Sequence, residues 1–251
     1  MALKEELKRQ GDFLFKYRSY LPLLLLIFGV VLKVYKVQQA NIDGNGLLTE
    51  NMKLVAFSVG LLGLFIRVFT IGYTPINTSG RNTKEGQVAD SLNTTGLYSL
   101  IRNPLYLGNY FMWLSIAMLT GNVWFMFTFT LLYWIYYERI VYTEEQFLTG
   151  KFGEVYLKWT EKTPPFLPYH FQYIKPNLPF SWKKVLKKEK NGIFALFLVF
   201  LIFDLVDSLV LQREITFEAN WIWIGTIISG LVYLVLKILK SYTKVLDEID
   251  R

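Results

Sequence analysis

The 251-residue sequence contains no cysteine and a single histidine, His170. The lack of cysteine excludes disulfide bonds, thiolate metal sites and cysteine nucleophiles. With one histidine, a Ser-His catalytic pair or a histidine-rich metal centre is not expected, and we predict no bound metal. His170 lies in a segment rich in proline and aromatic residues. We therefore favour its interpretation as a polar residue at the membrane interface over a role as a general base.

What the sequence has in excess is apolar and aromatic side chains. Apolar residues make up 53% of the chain and aromatic residues 17%, which is more than an ordinary soluble domain of this length contains. Six apolar segments lie near residues 20–37, 53–71, 106–119, 123–141, 193–211 and 221–240. Several are shorter than the roughly 20 residues that a full crossing prefers, so we expect tilting or local thinning of the bilayer. The pattern predicts an all-α, multi-pass transmembrane bundle of about six spans.

Lysine and arginine concentrate in alternate connections between these segments. They are dense in the first 18 residues, around Arg102 and after the fourth segment, whereas residues 38–52 and 121–122 contain none. The positive-inside rule then predicts that both termini lie in the cytosol. The net charge of +7 reflects this topology and contact with anionic lipids, and it gives no reason to expect a nucleic-acid partner. The first apolar run lacks a small-residue cleavage site and continues into Lys33 and Lys36, so it is interpreted as a retained span.

A motif from Gly96 to Gly108 is followed, one helical hairpin later, by Glu144 and Glu145. The motif has the sequence GLYSLIRNPLYLG. The two apolar runs between motif and glutamates, joined by a Gly-Asn turn, predict antiparallel helices, so Arg102 and the two carboxylates would lie at the same membrane surface. Charged groups gathered there beside lipid predict a site where a polar cofactor meets a lipid-like substrate.

These residues carry a family resemblance together with a segment that follows them. That segment contains Phe152-Gly153-x-x-Tyr156 and the prolines Pro164, Pro165 and Pro168. Over roughly residues 95–168 the chain resembles the isoprenylcysteine carboxyl methyltransferase and phospholipid methyltransferase group of integral-membrane enzymes. The resemblance implies S-adenosylmethionine as cofactor and methyl transfer to a lipid or lipidated acceptor, through a carboxylate, phosphate or amine. One departure is Asn103, where the family usually has histidine, because an amide cannot carry charge near neutral pH.

The resemblance and the chemistry of the cofactor together indicate the site residues. Arginine can bind a carboxylate through two parallel hydrogen bonds, and glutamate suits ribose hydroxyls or an ammonium group. We therefore expect Arg102 and Glu145 to take part in catalysis. The expected cofactor-binding residues are Tyr98, Arg102, Asn103, Pro104, Tyr106, Gly108, Glu144 and Glu145. Arg67 and Trp159 are expected to bind the acceptor.

Structural roles remain open for several of these residues. Asn103-Pro104 suits a helix start, since asparagine is a favoured N-cap and proline fits the first helical position. Gly108 could admit the cofactor closely or pack against a neighbouring helix. Arg67 lies at a depth where Glu138 could pair with it instead of the acceptor.

Two other protein classes remain open. The first is an NADPH-dependent lipid or sterol reductase, for which Arg81 and Lys84 are the only loop candidates to hold the extra phosphate. The second is a channel or transporter, suggested only by Asp204 and Asp207 on one face of the fifth segment. We expect these aspartates to meet Lys33, Lys36 or water near the outer surface, away from the site.

Three parts are predicted along the chain. Residues 1–95 form an N-terminal hairpin and a polar loop, 96–182 the methyltransferase core, and 183–251 a C-terminal hairpin. The proline-rich stretch from 164 to 182 is predicted to lie along the membrane without a long helix. We expect an integral membrane protein, in the cytoplasmic membrane of a prokaryote or the endoplasmic reticulum of a eukaryote.

Overall fold

The structure is a computed structural model that describes residues 2–18, 20–43, 48–76, 78, 81–83, 86–169, 171–213 and 220–248. Its helices are α1 (Leu3–Tyr17), α2 (Leu21–Asp43), α3 (Glu50–Tyr73), α4 (Pro104–Leu119), α5 (Val123–Phe152), α6 (Glu154–Lys162), α7 (Trp182–Gln212) and α8 (Trp221–Tyr242). A single 3-10 turn, Gly96–Ser99, precedes α4. In the polar loop before it, the short strands β1 (Arg81–Thr83) and β2 (Gly86–Val88) pair as a hairpin. The prediction of an all-α bundle is confirmed.

The six long helices alternate in direction. At one end of the bundle, Lys53 near the start of α3 pairs with Asp204 near the end of α7 at 2.6 Å. At the same end, Lys36 late in α2 donates to the carbonyl of Gly121, in the turn between α4 and α5. At the opposite end, the starts of α4 and α7 and the ends of α3, α5 and α8 surround one cavity. We call these the far end and the site end.

Four helices, α2, α3, α7 and α8, are long and apolar enough to cross a membrane. The helix α4 has 16 residues and rises only about 24 Å, which agrees with the expected thinning or tilt. The helix α5 runs 30 residues, but its apolar part ends near Val141 and a charged extension follows. These two helices lie within the bundle beside the four, so about six spans remains the best description.

The charged residues near the far end pair with one another. Asp207 lies 2.9 Å from the buried Lys33, as expected from the sequence. Asp204 instead pairs with Lys53 and accepts a hydrogen bond from Asn220 at 3.2 Å. Ion pairs of this kind stabilise charges that lie beside lipid. They give no support to a channel.

Helices α3 and α4 pack through small residues. A Cβ atom on Gly63 would lie 2.4 Å from the carbonyl oxygen of Gly108, and one on Gly108 would lie 2.8 Å from the carbonyl oxygen of Gly63. Only glycine at both positions permits this separation of the two backbones. The close contact fixes the start of α4 against the end of α3, where the site residues lie.

An N-terminal amphipathic helix, α1, lies outside the six predicted spans. It packs along the end of α5, so closely that a Cβ atom on Gly11 would overlap the carbonyl oxygen of Arg139, and Thr143 donates to the carbonyl of Lys8 at 3.2 Å. Phe15 is buried against the aromatic residues of α5. The helix therefore covers the outer side of α5 and leads the chain to the site end.

Candidate active site

A cavity of about 660 Å3 lies at the site end, between the starts of α4 and α7 and the ends of α3, α5 and α8. Ligand pockets in proteins have volumes of about 300–1,000 Å3. Eight residues that the sequence analysis proposed for the site line this cavity: Arg67, Tyr98, Arg102, Asn103, Tyr106, Glu144, Glu145 and Trp159. Their functions stay predictions, but the expected convergence of Arg102 with both glutamates is observed.

The chain enters α4 through a segment that is tied to the proline-rich stretch. The backbone N–H of Arg102 donates to the carbonyl of Pro164 at 2.8 Å, and that of Asn103 to Pro165 at 3.1 Å. Gly96, at φ +62°, donates to Ile174 at 2.8 Å. These bonds give hydrogen-bond partners to backbone groups that lie outside regular helices in both segments. They hold the segment that carries Arg102 in place. Residues 164–169 and 171–181 of this stretch contain no helix.

Arg102 and Glu145 form the central ion pair of the cavity. The Nη1 atom of Arg102 lies 2.9 Å from Oε1 of Glu145. Arg102 Nε, Glu145 Oε1 and the indole Nε1 of Trp159 are buried and have no hydrogen-bond partner among the described residues. Buried polar atoms normally have partners. This set of two donors and one acceptor therefore fits a polar ligand.

Trp159 reaches the cavity because the chain reverses at Gly153. This residue has φ +52° and ψ −130°, a conformation that glycine adopts without a Cβ penalty. The short helix α6 then turns back and places Tyr156 and Trp159 in the cavity wall. Burial raises the pKa of the Tyr156 phenol, so it stays protonated and can donate.

Glu144 is held by a tyrosine of the neighbouring helix. The hydroxyl of Tyr106 donates to Oε2 of Glu144 at 2.8 Å, and Arg18 in turn donates to that hydroxyl at 3.4 Å. Burial raises the pKa of both the Glu144 and the Glu145 carboxyl groups, which lie beyond the apolar part of α5. The Tyr106 bond opposes this rise for Glu144, and the Arg102 charge opposes it for Glu145.

Arg67 is paired with a different residue from the one expected. Its Nε and Nη2 atoms donate to the two carboxylate oxygens of Glu189 at 2.8 and 2.6 Å, and Nη1 donates to Asn109. The predicted partner, Glu138, is 62% exposed and faces Arg139. The apolar part of the fifth segment begins near residue 193, but α7 starts at Trp182 and carries Glu189 into the bundle, so Glu189 was not recognised from the sequence as a partner of Arg67.

Asn103 stands at the N-cap position of α4, but its side chain makes no capping hydrogen bond. Its Nδ2 atom donates instead to the carbonyl of Pro165 at 3.2 Å. The interpretation of the side chain as a helix cap is therefore wrong, because the proline-rich stretch competes for the amide. Pro104 begins the helix as expected. Pro104 and Gly108 are buried and do not line the cavity, and Gly108 serves the packing of α4 on α3.

The cavity has a basic side that the sequence analysis assigned only to topology. Four lysines line it, Lys184, Lys187, Lys188 and Lys240. The ammonium group of Lys184 is buried and donates to the carbonyls of Thr74 and Pro75 and to the Thr74 hydroxyl, so we call only the other three the lysine rim. Lys187 and Lys188 lie on the first turns of α7, and Lys240 comes from the end of α8. The clustering of lysines near residue 187 is visible in the sequence and could have indicated a basic site. Only the packing of α7 against α8 shows that these lysines face a cavity.

Some residues considered at the sequence level fall outside what the structure describes. These are His170, Lys84 and the side chain of Arg81. Among the described residues, no group of three His, Asp or Glu side chains could hold a metal ion.

Comparisons with known proteins agree with the motif. Residues 52–155 match the sequence model of the phospholipid methyltransferase family. The protein-S-isoprenylcysteine O-methyltransferase of Schizosaccharomyces pombe is 36% identical over 78 residues, 31% of this chain and 33% of the relative. The Xenopus laevis protein of the same name is 32% identical over 97 residues, 37% and 34% of the two chains.

A third relative has a different name. The cobalt-zinc-cadmium resistance protein of Cupriavidus metallidurans is 28% identical over 111 residues, 44% of this chain and 48% of the relative. The chain thus spans between a third and about half of the length of these relatives. No solved structure matches. The matched region contains α3, α4 and α5, which carry most of the predicted site, and the resemblance to the isoprenylcysteine and phospholipid methyltransferase group is confirmed.

Proposed function

We propose that the protein is an S-adenosylmethionine-dependent methyltransferase that modifies a lipid or lipidated acceptor at the cytosolic face of a multi-pass bundle. One observation supports this most strongly. Arg102, Glu144 and Glu145 meet in one cavity, within the region matched to methyltransferases. Arg102 and Glu145 form an ion pair with each other, and each presents a buried polar atom that has no hydrogen-bond partner among the described residues. The site is therefore suited to a small zwitterionic ligand.

The polar side chains of the cavity match the polar groups of the cofactor. Arg102 offers a guanidinium for the carboxylate, and Glu144 and Glu145 offer acceptors for ribose hydroxyls or the ammonium group. The indole N–H of Trp159 and the hydroxyl of Tyr156 are donors on the α6 side. When bound, the cofactor supplies an electrophilic methyl group on a sulfonium. Arg102 and Glu145 would act by holding that group in line with the acceptor.

The acceptor has an apolar approach of its own. A groove of about 720 Å3 lies beside the cavity, between α1 and α2 on one side and α5 on the other. Phe13, Leu25 and Leu132 line it, and Tyr137 lines both the groove and the cavity. A lipid chain could therefore lie in the groove while its polar end meets the cofactor. Separate access for a water-soluble and a lipid-soluble reactant follows from this arrangement.

An anionic acceptor suits the residues present. A carboxylate or phosphate acceptor would react through an oxygen that already carries the negative charge. Because no proton has to be removed, no general base is needed at position 103, and the uncharged amide of Asn103 is compatible with the reaction. An amine acceptor would first have to lose a proton. Glu144 and Glu145 would be the nearest carboxylates to receive it.

The test is ligand binding to the purified protein in lipid nanodiscs. We expect S-adenosylhomocysteine to bind and NADPH not to bind. The variant Arg102→Lys, which keeps the charge but loses the planar fork, should weaken binding, whereas Arg139→Lys, outside the cavity, should not. Binding of NADPH in the absence of S-adenosylhomocysteine binding would contradict the proposal and favour a reductase.

A further inference from the structure

The chain beyond α8 folds back over the lysine rim of the cavity. We call residues 243–248 the tail. Leu246 is only 6% exposed, and Leu246 and Glu248 both line the cavity. The tail forms a hydrogen-bonded turn in which the N–H of Asp247 donates to the carbonyl of Lys244 at 3.0 Å. The tail is therefore part of the wall that closes this side of the cavity.

Two carboxylates of the tail meet the start of α7. Asp247 pairs with Nζ of Lys187, and Glu248 accepts a hydrogen bond from the hydroxyl of Ser181, the N-cap of α7. Lys187 lowers the pKa of the Asp247 carboxyl, so the carboxylate is charged at neutral pH. The tail thus brings two acceptor groups to the basic side of the cavity.

The cavity is divided by charge. Glu144 and Glu145 lie on the side of α5, and the lysine rim lies on the side of α7 and α8. Ammonium groups of lysine are common ligands of phosphate and bind it as point charges. A rim of three lysines at the membrane surface lies where anionic headgroups are found. The α5 side is already assigned to the cofactor, so we assign the side of the rim to the second reactant.

The tail is held weakly enough to move. Side chains of Lys187 and Asp247 are 28% and 55% exposed, and ion pairs of this exposure contribute little to stability. Leu246 is the one described large apolar side chain of the tail that is buried. A ligand with a stronger negative charge can therefore replace the tail carboxylates at the rim.

We propose that the lysine rim is a subsite for the oxyanion of the acceptor, a phosphate or a carboxylate, and that Asp247 and Glu248 occupy it when the tail is closed. The acceptor displaces the tail, and its apolar part remains in the bilayer or the neighbouring groove. This inference rests on the proposed function. It restricts the acceptor to anionic lipids and lipidated carboxylates.

The first experiment removes the tail charges. The variant Asp247→Asn/Glu248→Gln is compared with Glu5→Gln/Asp12→Asn, which removes two exposed carboxylates of α1. Binding of short-chain phosphatidic acid, N-acetyl-S-farnesylcysteine and short-chain phosphatidylcholine is measured in neutral nanodiscs, together with S-adenosylhomocysteine. We expect the tail variant to bind one or both anionic probes at least about threefold more tightly than the parent, whereas the α1 variant, phosphatidylcholine and S-adenosylhomocysteine show no change.

The same experiment separates the possible outcomes. The probe that gains affinity identifies phosphate or carboxylate as the preferred oxyanion, and adding Lys187→Gln and Lys240→Gln should remove the gain. An equal gain for phosphatidylcholine, or no gain for either anion, would overturn the subsite while leaving the methyltransferase proposal intact. Failure of the parent to bind S-adenosylhomocysteine would overturn the methyltransferase proposal, and the lipid measurements would still report on the rim.

A second experiment fixes the tail in its closed position. Because the chain has no cysteine, Ser181→Cys/Glu248→Cys can be joined selectively by a short, reductively cleavable thiol cross-linker. The cross-linked protein should lose binding of the anionic probes, and reduction should restore it. Undiminished binding in the cross-linked state would contradict displacement of the tail.

Discussion

Arg102 and Glu145 lie on opposite sides of a helical hairpin in the sequence, yet their side chains approach to 2.9 Å. Arg102 precedes α4, and Glu145 belongs to the charged extension of α5. The hairpin returns the chain to the surface that it left, which brings the two side chains to the same end of the bundle. The proline-rich stretch and α6 then enclose it.

Replacing Glu145 or Glu144 with glutamine should weaken binding of S-adenosylhomocysteine. Each change removes a charged acceptor and leaves ligand donors poorly paired, at a cost of about 1–3 kcal/mol. Isothermal titration should show the loss, and Glu138→Gln is the matched control because Glu138 lies on the same helix but is exposed. Parental affinity in both site variants would show that the glutamates do not bind the cofactor.

The variant Tyr106→Phe should shift the pH dependence of methyl transfer. Burial raises the pKa of Glu144, and the Tyr106 hydrogen bond opposes that rise, so losing the hydroxyl should raise the pKa further. If the ionised carboxylate is required, activity falls as the pH drops through this pKa, and the acid limb of kcat/KM should move to higher pH in the variant. The control is Tyr110→Phe, whose hydroxyl pairs with Thr130. An unchanged acid limb would mean that Glu144 does not control the profile.

Breaking the pair between Arg67 and Glu189 should destabilise the protein. Glu189 is 1% exposed, and removing one partner of a buried pair costs about 3–5 kcal/mol because the other charge is left uncompensated. Thermal unfolding in detergent should show a lower Tm for Glu189→Gln. The double variant Arg67→Gln/Glu189→Gln should recover part of the loss, and additive effects of the two changes would argue against the pair.

Asn103 should tolerate substitution better than a capping residue would. Its side chain contributes one hydrogen bond to Pro165, worth about 0.5–1.5 kcal/mol, and it cannot titrate in the working range. We expect Asn103→Ala and Asn103→His to fold and to show the same pH profile of methyl transfer as the parent. A large gain in rate for the histidine variant, with a new titration near pH 6–7, the range of an ordinary imidazole, would show proton transfer at this position.

The orientation of the bundle can be tested with single cysteines in the cysteine-free chain. Asn51 lies exposed at the far end, and Glu161 lies exposed on α6 at the site end. In oriented vesicles an impermeant maleimide should label Glu161→Cys from the cytosolic side and Asn51→Cys from the other. Labelling of both from one side would contradict the alternation of spans.

Much of the fold could be predicted from the sequence because the bilayer imposes strong rules. Long apolar runs must be helices, since hydrocarbon offers no partners for backbone groups, and a turn of Gly121-Asn122 between two such runs predicts a hairpin. The helix boundaries were less certain. The helices α5 and α7 extend well beyond their apolar parts, through Glu144 and Glu189 respectively, because charged residues outside the hydrocarbon are good helix formers.

The candidate site could likewise be predicted from the sequence only in part. Arg102, Glu144 and Glu145 could be brought together from the sequence, because their meeting requires only one hairpin. The pairing of Arg67 with Glu189, the hydrogen bond of Asn103 to Pro165 and the tail over the lysine rim each join segments that are far apart in the chain. Local pattern carries no information on which of several possible partners a polar side chain meets. Those choices were decided by the packing of α7 and α8 against α3 and α4, since only the tertiary structure fixes which charges share one buried space.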